Sequence, residues 1–172
     1  MKLIVPSLKY KDSFLDALME FEKTKEAGFW KFPDETPRTL ESYIERILNH
    51  SEGADLPDNW VPCTSYWLID ENNEFVGHIN IRHRLNDFLT NFGGHIGYAI
   101  RPSMRRQGHG TQILKLALPK AAALGLDRIL ITCDKTNTPS LKIIEKNNGI
   151  FENECEQTGD LPTKLRFWID LV

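Results

Sequence analysis

Cysteine is scarce. The three in this chain of 172 residues stand at 63, 133 and 155, with no C-x-x-C spacing and no His or Cys neighbour at metal-ligand spacing. That pattern excludes a disulfide framework, points to a reducing compartment and predicts no metal site. No run of about 20 apolar residues occurs, so no membrane span is expected. The apolar start Leu3-Ile4-Val5 stops at Pro6, too short for a signal-peptide core. The expectation is a cytoplasmic protein with no membrane partner. Neither sign of charge dominates either. Twenty-one Lys and Arg against 24 Asp and Glu leave a formal charge of −3. That is not the basic excess that nucleic-acid binding by bulk electrostatics requires, so no nucleic-acid partner is expected. Internal repeats and low-complexity tracts are absent as well.

What is present is the balance of a globular domain, with 41% hydrophobic and 26% charged residues. At about 150 residues per domain, residues 1–172 read as a single domain able to bury a real core. Loop punctuation falls at 28–37, 51–62 and 86–94. Helical spacing is clear in Phe14, Leu15, Leu18 and Met19, with Asp12 as the expected cap, and in Leu40, Tyr43, Ile44, Ile47 and Leu48, entered through Thr39. Tyr66–Ile69 and Phe75–Ile81 flank Asn72-Asn73 and read as a hairpin. His95–Ile100 reads as a strand ended by Pro102. Thr111–Leu124 reads as a helix that Pro119 should kink or weaken. The apolar run Arg128–Cys133 reads as a strand covered on both faces. Leu141–Asn147 reads as a helix opened by Pro139 and closed by Gly149, and Leu165–Leu171 as a last strand. Helices interleaved with strands predict an α/β fold with a mixed sheet and helices on both faces.

The most informative stretch is Ile100-Arg101-Pro102-Ser103-Met104-Arg105-Arg106-Gln107-Gly108-His109-Gly110-Thr111. A strand ends, a short basic segment follows, two glycines sit one residue apart, and a helix begins. Glycine lets backbone approach a ligand closely. The first amides of a helix lack internal partners, and its dipole favours phosphate there. Arg105 and Arg106 add positive charge. A nucleoside-triphosphate loop, G-x-x-x-x-G-K-[ST], fails for want of the Lys. The dinucleotide fingerprint G-x-G-x-x-G fails because Ile113 stands at its third glycine.

Together with its surroundings, this stretch resembles the GNAT superfamily of acetyl-CoA-dependent N-acetyltransferases. The family's phosphate motif [QR]-x-x-G-x-[GA] is matched by Arg105-Arg106-Gln107-Gly108-His109-Gly110. Gly97-Tyr98-Ala99-Ile100-Arg101-Pro102 looks like its central strand. Asn137-Thr138-Pro139-Ser140 and Glu145-Lys146-Asn147-Asn148-Gly149-Ile150-Phe151 are similar to its N-x-x-[SA] and EK-x-G-F segments, with one residue inserted before the last aromatic. The resemblance implies a mostly antiparallel mixed sheet whose central parallel strands splay apart. It implies that the amides of Gln107 to Thr111 hold the coenzyme A pyrophosphate, and that the backbone of Tyr98 and Ile100 pairs with the pantetheine arm. The Ile100 amide would polarise the thioester carbonyl, and Asn137 would reach the arm or the catalytic water from the far side.

Acetyl transfer needs a deprotonated amine, a stabilised oxyanion and a tolerable thiolate leaving group. The family's usual thiol donor is a Tyr, and the matching position here is Ile144. Ser140, one turn earlier, is the substitute candidate, or it simply caps its helix. For the base, His95 stands near the position where many members carry Glu, and its reference pKa of about 6.5 suits the role. His78, Asp134 or a chain of water molecules are alternatives. Phe29, Trp30 and Phe32 would wall the acceptor site or plug the core, and Glu22 and Glu26 would attract a cationic amine or merely face solvent. The implied partner is a small-molecule or peptide amine, and the resemblance also allows a homodimer. A non-catalytic acyl-CoA-binding module is the alternative function.

Overall fold

The computed structural model describes residues 1–26, 39–157, 159 and 161–171. In chain order the main elements are β1 (Lys2–Ile4), α1 (Lys11–Lys23), α2 (Leu40–Glu52), β2 (Cys63–Ile69), β3 (Phe75–Arg82), β4 (Ile96–Ile100), α3 (His109–Ala123), β5 (Arg128–Asp134), α4 (Thr138–Lys146), β6 (Ile150–Cys155) and β7 (Lys164–Asp170). The splay expected between the central strands divides the strands into two antiparallel sheets. One has the order β1-β2-β3-β4 and the other β5-β7-β6. No ladder joins β4 to β5, although α3 connects them directly in the chain.

Two apolar clusters occupy the two faces. Phe14, Ala17, Leu18 and Phe21 of α1 and Leu40, Tyr43, Ile44 and Ile47 of α2 pack on Trp67, Ile69 and Phe75. Phe14 is wholly buried. Its ring stacks on Trp67 at 4.3 Å between centroids and meets Phe75 edge-on at 5.1 Å. Truncating such a ring to Ala costs about 3–5 kcal/mol. On the other face, Ile113, Leu114 and Ala117 of α3 and Ile144 of α4 cover both sheets, reaching Ile79 and Ile81 on one and Ile129, Ile131 and Phe167 on the other. This second cluster holds the two sheets together where hydrogen bonds do not.

Three local expectations change. Asp12 does not cap α1. The chain enters through a 3-10 turn, Leu8–Tyr10, where Ser7 Oγ accepts from Lys9 N–H, and Asp12 lies in the first helical turn. The helix α3 continues through Pro119 to Ala123. Pro119 and Lys115, whose carbonyl loses its usual donor, are both exposed, so water can replace the missing bond. The 86–94 loop contains a wide helical turn, Leu89–Gly93, opened by Asn86 Oδ1 accepting from Leu89 N–H. Thr39 caps α2 as expected and adds a reciprocal bond with Ser42. One clasp bears on the site. Glu20 of α1 accepts from Arg101 Nε at 2.7 Å and from Ser103 N–H at 2.9 Å, fixing the loop after β4.

Candidate active site

The register of β3 with β4 decides which way the backbone of β4 faces. Arg82 N–H donates to His95 C=O and Arg101 N–H to Val76 C=O, both at 2.8 Å. Bonding alternates along an antiparallel pair, so Gly97 and Ala99 also turn toward β3. The N–H and C=O groups of Ile96, Tyr98 and Ile100 therefore turn away, toward β5, where no strand meets them. Ile100 C=O accepts from Arg105 Nε at 2.9 Å; its N–H remains.

The gap is closed at one end. His95 N–H donates to Leu130 C=O at 2.7 Å, and Leu130 N–H donates to His95 Nδ1 at 2.9 Å. Gly94 makes the approach possible. Its φ is +64°, and a Cβ there would lie 2.6 Å from the Leu130 carbonyl oxygen. From this joint the strands diverge into a cleft of about 1300 Å³. Along it lie Gly97 and Ile100 of β4, Gly108 and Thr111 at the start of α3, and Thr132 of β5 with Ser140 of α4. A smaller hollow of about 530 Å³ on the outer side of α2 gathers none of these residues.

At the wide end of the cleft α3 begins. Gly108 is its N-cap at φ +84°, after Arg106 at +60°. Gln112 N–H is the first to bond inside the helix, to Gly108 C=O at 3.1 Å. The preceding amides, through Thr111, have no intrahelical acceptor. A Cβ at Gly108 would meet nothing within 4 Å, whereas one at Gly110 would lie 2.4 Å from Ile143 Cδ1. Gly108 thus serves the turn, and Gly110 the close packing of α3 on α4. The loop, the helix start and the unpaired strand edge fit a phosphate-bearing chain that continues as an extended arm.

The Acetyltransferase (GNAT) domain family matches residues 3–149. This chain belongs to the GNAT acetyltransferase family. No curated protein matches significantly. Among solved structures, it is similar to RimL, a ribosomal L7/L12 alpha-N-protein acetyltransferase in complex with coenzyme A. The TM-score is 0.66 at 17% identity, over 98% of this chain and 92% of that one. It is also similar to the spermidine N-acetyltransferase SpeG from Vibrio cholerae, with a TM-score of 0.67 at 13% identity over 99% and 95% of the chains. A third likeness is to yncA from Salmonella typhimurium with acetyl-CoA, a putative acetyltransferase, at 0.63 and 12% over 99% and 94%. At these identities the structures establish the fold. The chain is an acyltransferase by family, and no helix among its described residues is long and apolar enough to cross a membrane.

Within this GNAT enzyme the expected site residues fall into two groups. At the cradle, Gly108, His109, Gly110 and Thr111 form the helix start. Gln107 and Arg106 are exposed beside it, with Gln107 Nε2 donating to Ser103 C=O. Arg105 also lines the cleft but is engaged by a carboxylate. Its guanidinium grips Glu26 through two bonds of 3.1 and 2.8 Å. That grip holds the Glu26 carboxyl below its ordinary value and removes Glu26 as a lure for an amine. Asn137 caps α4, its Oδ1 accepting from Ser140 N–H at 3.1 Å, which leaves its Nδ2 for the cleft it lines.

The candidates for acid and base lie deeper. Ser140 Oγ is 2.9 Å from the Tyr98 phenol oxygen. Burial pushes the Tyr98 hydroxyl up to about 12, so it stays protonated and can donate to Ser140. Nearby Cys133 is also pushed up, to about 11, chiefly by burial. Ile144 is wholly buried in the core. His95 is 7% exposed, and burial, with Arg82 adding to it, lowers its pKa to about 4. Its Nδ1 already receives the Leu130 amide. His78 is lowered by burial to about 4 as well. The Asp134 carboxylate is engaged by Lys164. Phe29, Trp30 and Phe32 lie outside the described residues. Glu22 is exposed. Among the described residues no cluster of three or more potential ligands could hold a metal ion.

Two residues escaped the sequence reading. Asn147 is 5% exposed, and its Nδ2 donates to Thr111 C=O at 3.2 Å and Ile143 C=O at 2.9 Å. It braces the cradle from beneath, although in sequence it reads only as part of a helix stop. Arg82, at the end of β3, donates through Nη1 to Gly93 C=O and Gly94 C=O, both at 3.1 Å. No motif marks it.

Proposed function

We propose that this GNAT enzyme, one domain over residues 1–172 acting in the cytoplasm, moves the acetyl group of acetyl-CoA directly to the primary amine of a small molecule or peptide. The observation that carries this is the row of outward-turned backbone groups on β4, open toward β5 and leading to a glycine-started helix. The amides from Gln107 to Thr111 suit the pyrophosphate. The edge of Tyr98 and Ile100 suits the amides of the pantetheine arm, as an added strand would. The Asn137 amide donates from the opposite wall.

The reaction then follows from what each group can do. The Ile100 N–H polarises the thioester carbonyl and holds the negative charge of the tetrahedral intermediate. The amine nitrogen bonds the acetyl carbon, and the carbon–sulfur bond breaks. Tyr98 donates its proton to Ser140 Oγ, which leaves the Ser140 proton to point into the cleft. Ser140 passes that proton to the departing thiolate. His95 serves the fold as the joint between the sheets, since protonating Nδ1 would break its bond with Leu130. The proton that the amine sheds returns through water to the Tyr98–Ser140 pair, which restores the pair for the next turnover. The strand β7, beyond the matched family region, completes the second sheet between β5 and β6, which supports reading the chain as one unit.

The test is thiol release from acetyl-CoA across a panel of amines, beside calorimetry with coenzyme A. Turnover with an acceptor is the expected result. Tight coenzyme binding with no turnover on any amine would instead favour a non-catalytic acyl-CoA-binding module.

A further inference from the structure

We infer that the acceptor carries a carboxylate beside its amine, as a free amino acid does, and that Arg82 receives that carboxylate. The inference rests on the acetyl-transfer reading above and names the acceptor class.

Arg82 is a cation set into the wall of the cleft, with no counter-ion among the described residues. Its side chain is largely desolvated, and burial lowers its pKa from the ordinary guanidinium value. A charge placed so is costly unless it is compensated. What it has are two neutral carbonyls, Gly93 and Gly94, both bonded to Nη1. Among the described residues no carboxylate forms an ion pair with it. A guanidinium offers five donors in a planar fork. Among the described residues Nε and Nη2 have no acceptor, and that side of the fork matches a bidentate carboxylate.

Its position matches the chemistry. A Cβ on Gly97 would lie 3.7 Å from Arg82 Nη2 and 3.9 Å from Nη1. The guanidinium therefore looks over bare backbone one residue from Tyr98, whose hydroxyl meets Ser140. Gly97 turns its bonding groups toward β3, and its missing side chain leaves the space above it open. A group held by Arg82 would be a neighbour of the thioester carbon at the β4 edge. Phe88 and Phe92, with ring centroids 5.7 Å apart, line the same cleft on the turn whose carbonyls Arg82 holds. They offer an apolar wall for an amino-acid side chain.

The remaining charges argue the same way. Among the described residues, the carboxylates lining the cleft are Glu26 and Asp134. Glu26 is gripped by Arg105 and Asp134 by Lys164. No carboxylate along the cleft's described lining stands ready for a second ammonium group, so a polyamine finds repulsion where a carboxylate finds a partner.

The experiment pairs each amino acid with its decarboxylated amine: phenylalanine with phenethylamine, leucine with isoamylamine, histidine with histamine. Spermidine is the polycation control. With acetyl-CoA as donor, kcat/KM should favour the amino acid by about 10²–10³-fold, the range for losing one partner of a hydrogen-bonded charge pair. Arg82→Met should abolish the preference while leaving turnover of the plain amines. Gly97→Ala is the second variant. Its methyl fits in ordinary contact and leaves the bonds to Gly93 and Gly94 intact, so it folds even where Arg82→Met does not. It should reduce the preference by shielding the guanidinium. Equal use of both members of each pair, or a preference that survives both variants, would overturn the inference. Calorimetry on the coenzyme A complex separates it from the functional reading. There N-acetylphenylalanine should bind at least tenfold more tightly than N-acetylphenethylamine, whether or not turnover occurs. Equal binding would overturn the Arg82 assignment even if acetyl transfer is confirmed.

Discussion

The two ends of the cleft are built from different materials. At the wide end, the start of α3 offers backbone amides arranged by Gly108 and Gly110, and side chains contribute little. Arg105, three residues before Gly108, bends back to Glu26. At the narrow end the backbone is spent on the His95–Leu130 joint, and the chemistry we propose falls to Arg82, Tyr98 and Ser140. The lesson is that a site of backbone amides is written in a few consecutive residues. A site of side chains is written in pairs far apart in the chain.

The sharpest way to break this contrast is at Gly108. A Val there would have to adopt φ near +84°, a conformation costing an L-residue about 1–2 kcal/mol. It would also carry a branched side chain into the path of the pyrophosphate and cost charge-assisted bonds of about 1.5–3 kcal/mol each. Coenzyme A affinity should fall on the order of 10³-fold. Calorimetry on the folded variant checks this, and unchanged affinity would place the coenzyme elsewhere.

At the narrow end, Ser140→Ala should lower kcat about 10²-fold with KM for acetyl-CoA nearly unchanged, the low end for a general acid. Tyr98→Phe should cost about tenfold, because Ser140 keeps its proton but loses the partner that aims it. A selenoester analogue of acetyl-CoA, whose leaving selenolate needs no proton at neutral pH, should restore much of the loss in both. A loss of equal size with the selenoester would show a merely structural role for the pair.

The contrast also explains how far the sequence could be read. Helix α2, the hairpin β2–β3 and the glycine loop are legible because periodicity, a cap and a turn are local signals. The parting of the two sheets is legible only through the family resemblance, since it depends on what β4 fails to bond. His95 looked like a base because a His at the start of a central strand has the right pKa in isolation. Its role is set by Leu130, 35 residues away. In sequence Ser140 reads as a proton donor or a helix cap; its N–H is the capped group, and what its hydroxyl meets, Tyr98, stands 42 residues away. Arg82 left no signal, because its partners are carbonyls and an open space.

Acid should separate the two ends more gently. His95 and His78 are held neutral, with pKa values of about 4 against 6.5 when unfolded. Their contribution is fully present above pH 6.5 and is lost as pH falls toward 4, because only the unfolded chain gains protons in that window. Denaturant unfolding at pH 7, 5.5 and 4.5 should show the decline, with His95→Gln shallower than the native protein. His95→Gln should also keep kcat within about tenfold at pH 7. A loss near 10³-fold with coenzyme affinity intact would make His95 the base.

The smallest effect belongs to the Arg105–Glu26 pair. Exposed ion pairs contribute about 0–1 kcal/mol, so Glu26→Gln should leave the melting temperature almost unchanged. Released from Glu26, Arg105 should strengthen coenzyme A binding by about two- to threefold at low salt and less at high salt. A weakening would show that Arg105 serves by staying where it is.

The gap between β4 and β5 makes part of the architecture conditional on its ligand. The Leu130 amide, sealed at the joint, should exchange with solvent deuterium slowly. The amides of Tyr98 and Ile100, turned into an open cleft, should exchange fast in the free protein and slowly once an extended arm lies beside them. An arm that completes the strand edge also stabilises the fold, by about 2.7 kcal/mol at a concentration a hundred times its Kd. The durability of the protein would then rise and fall with the supply of its own donor.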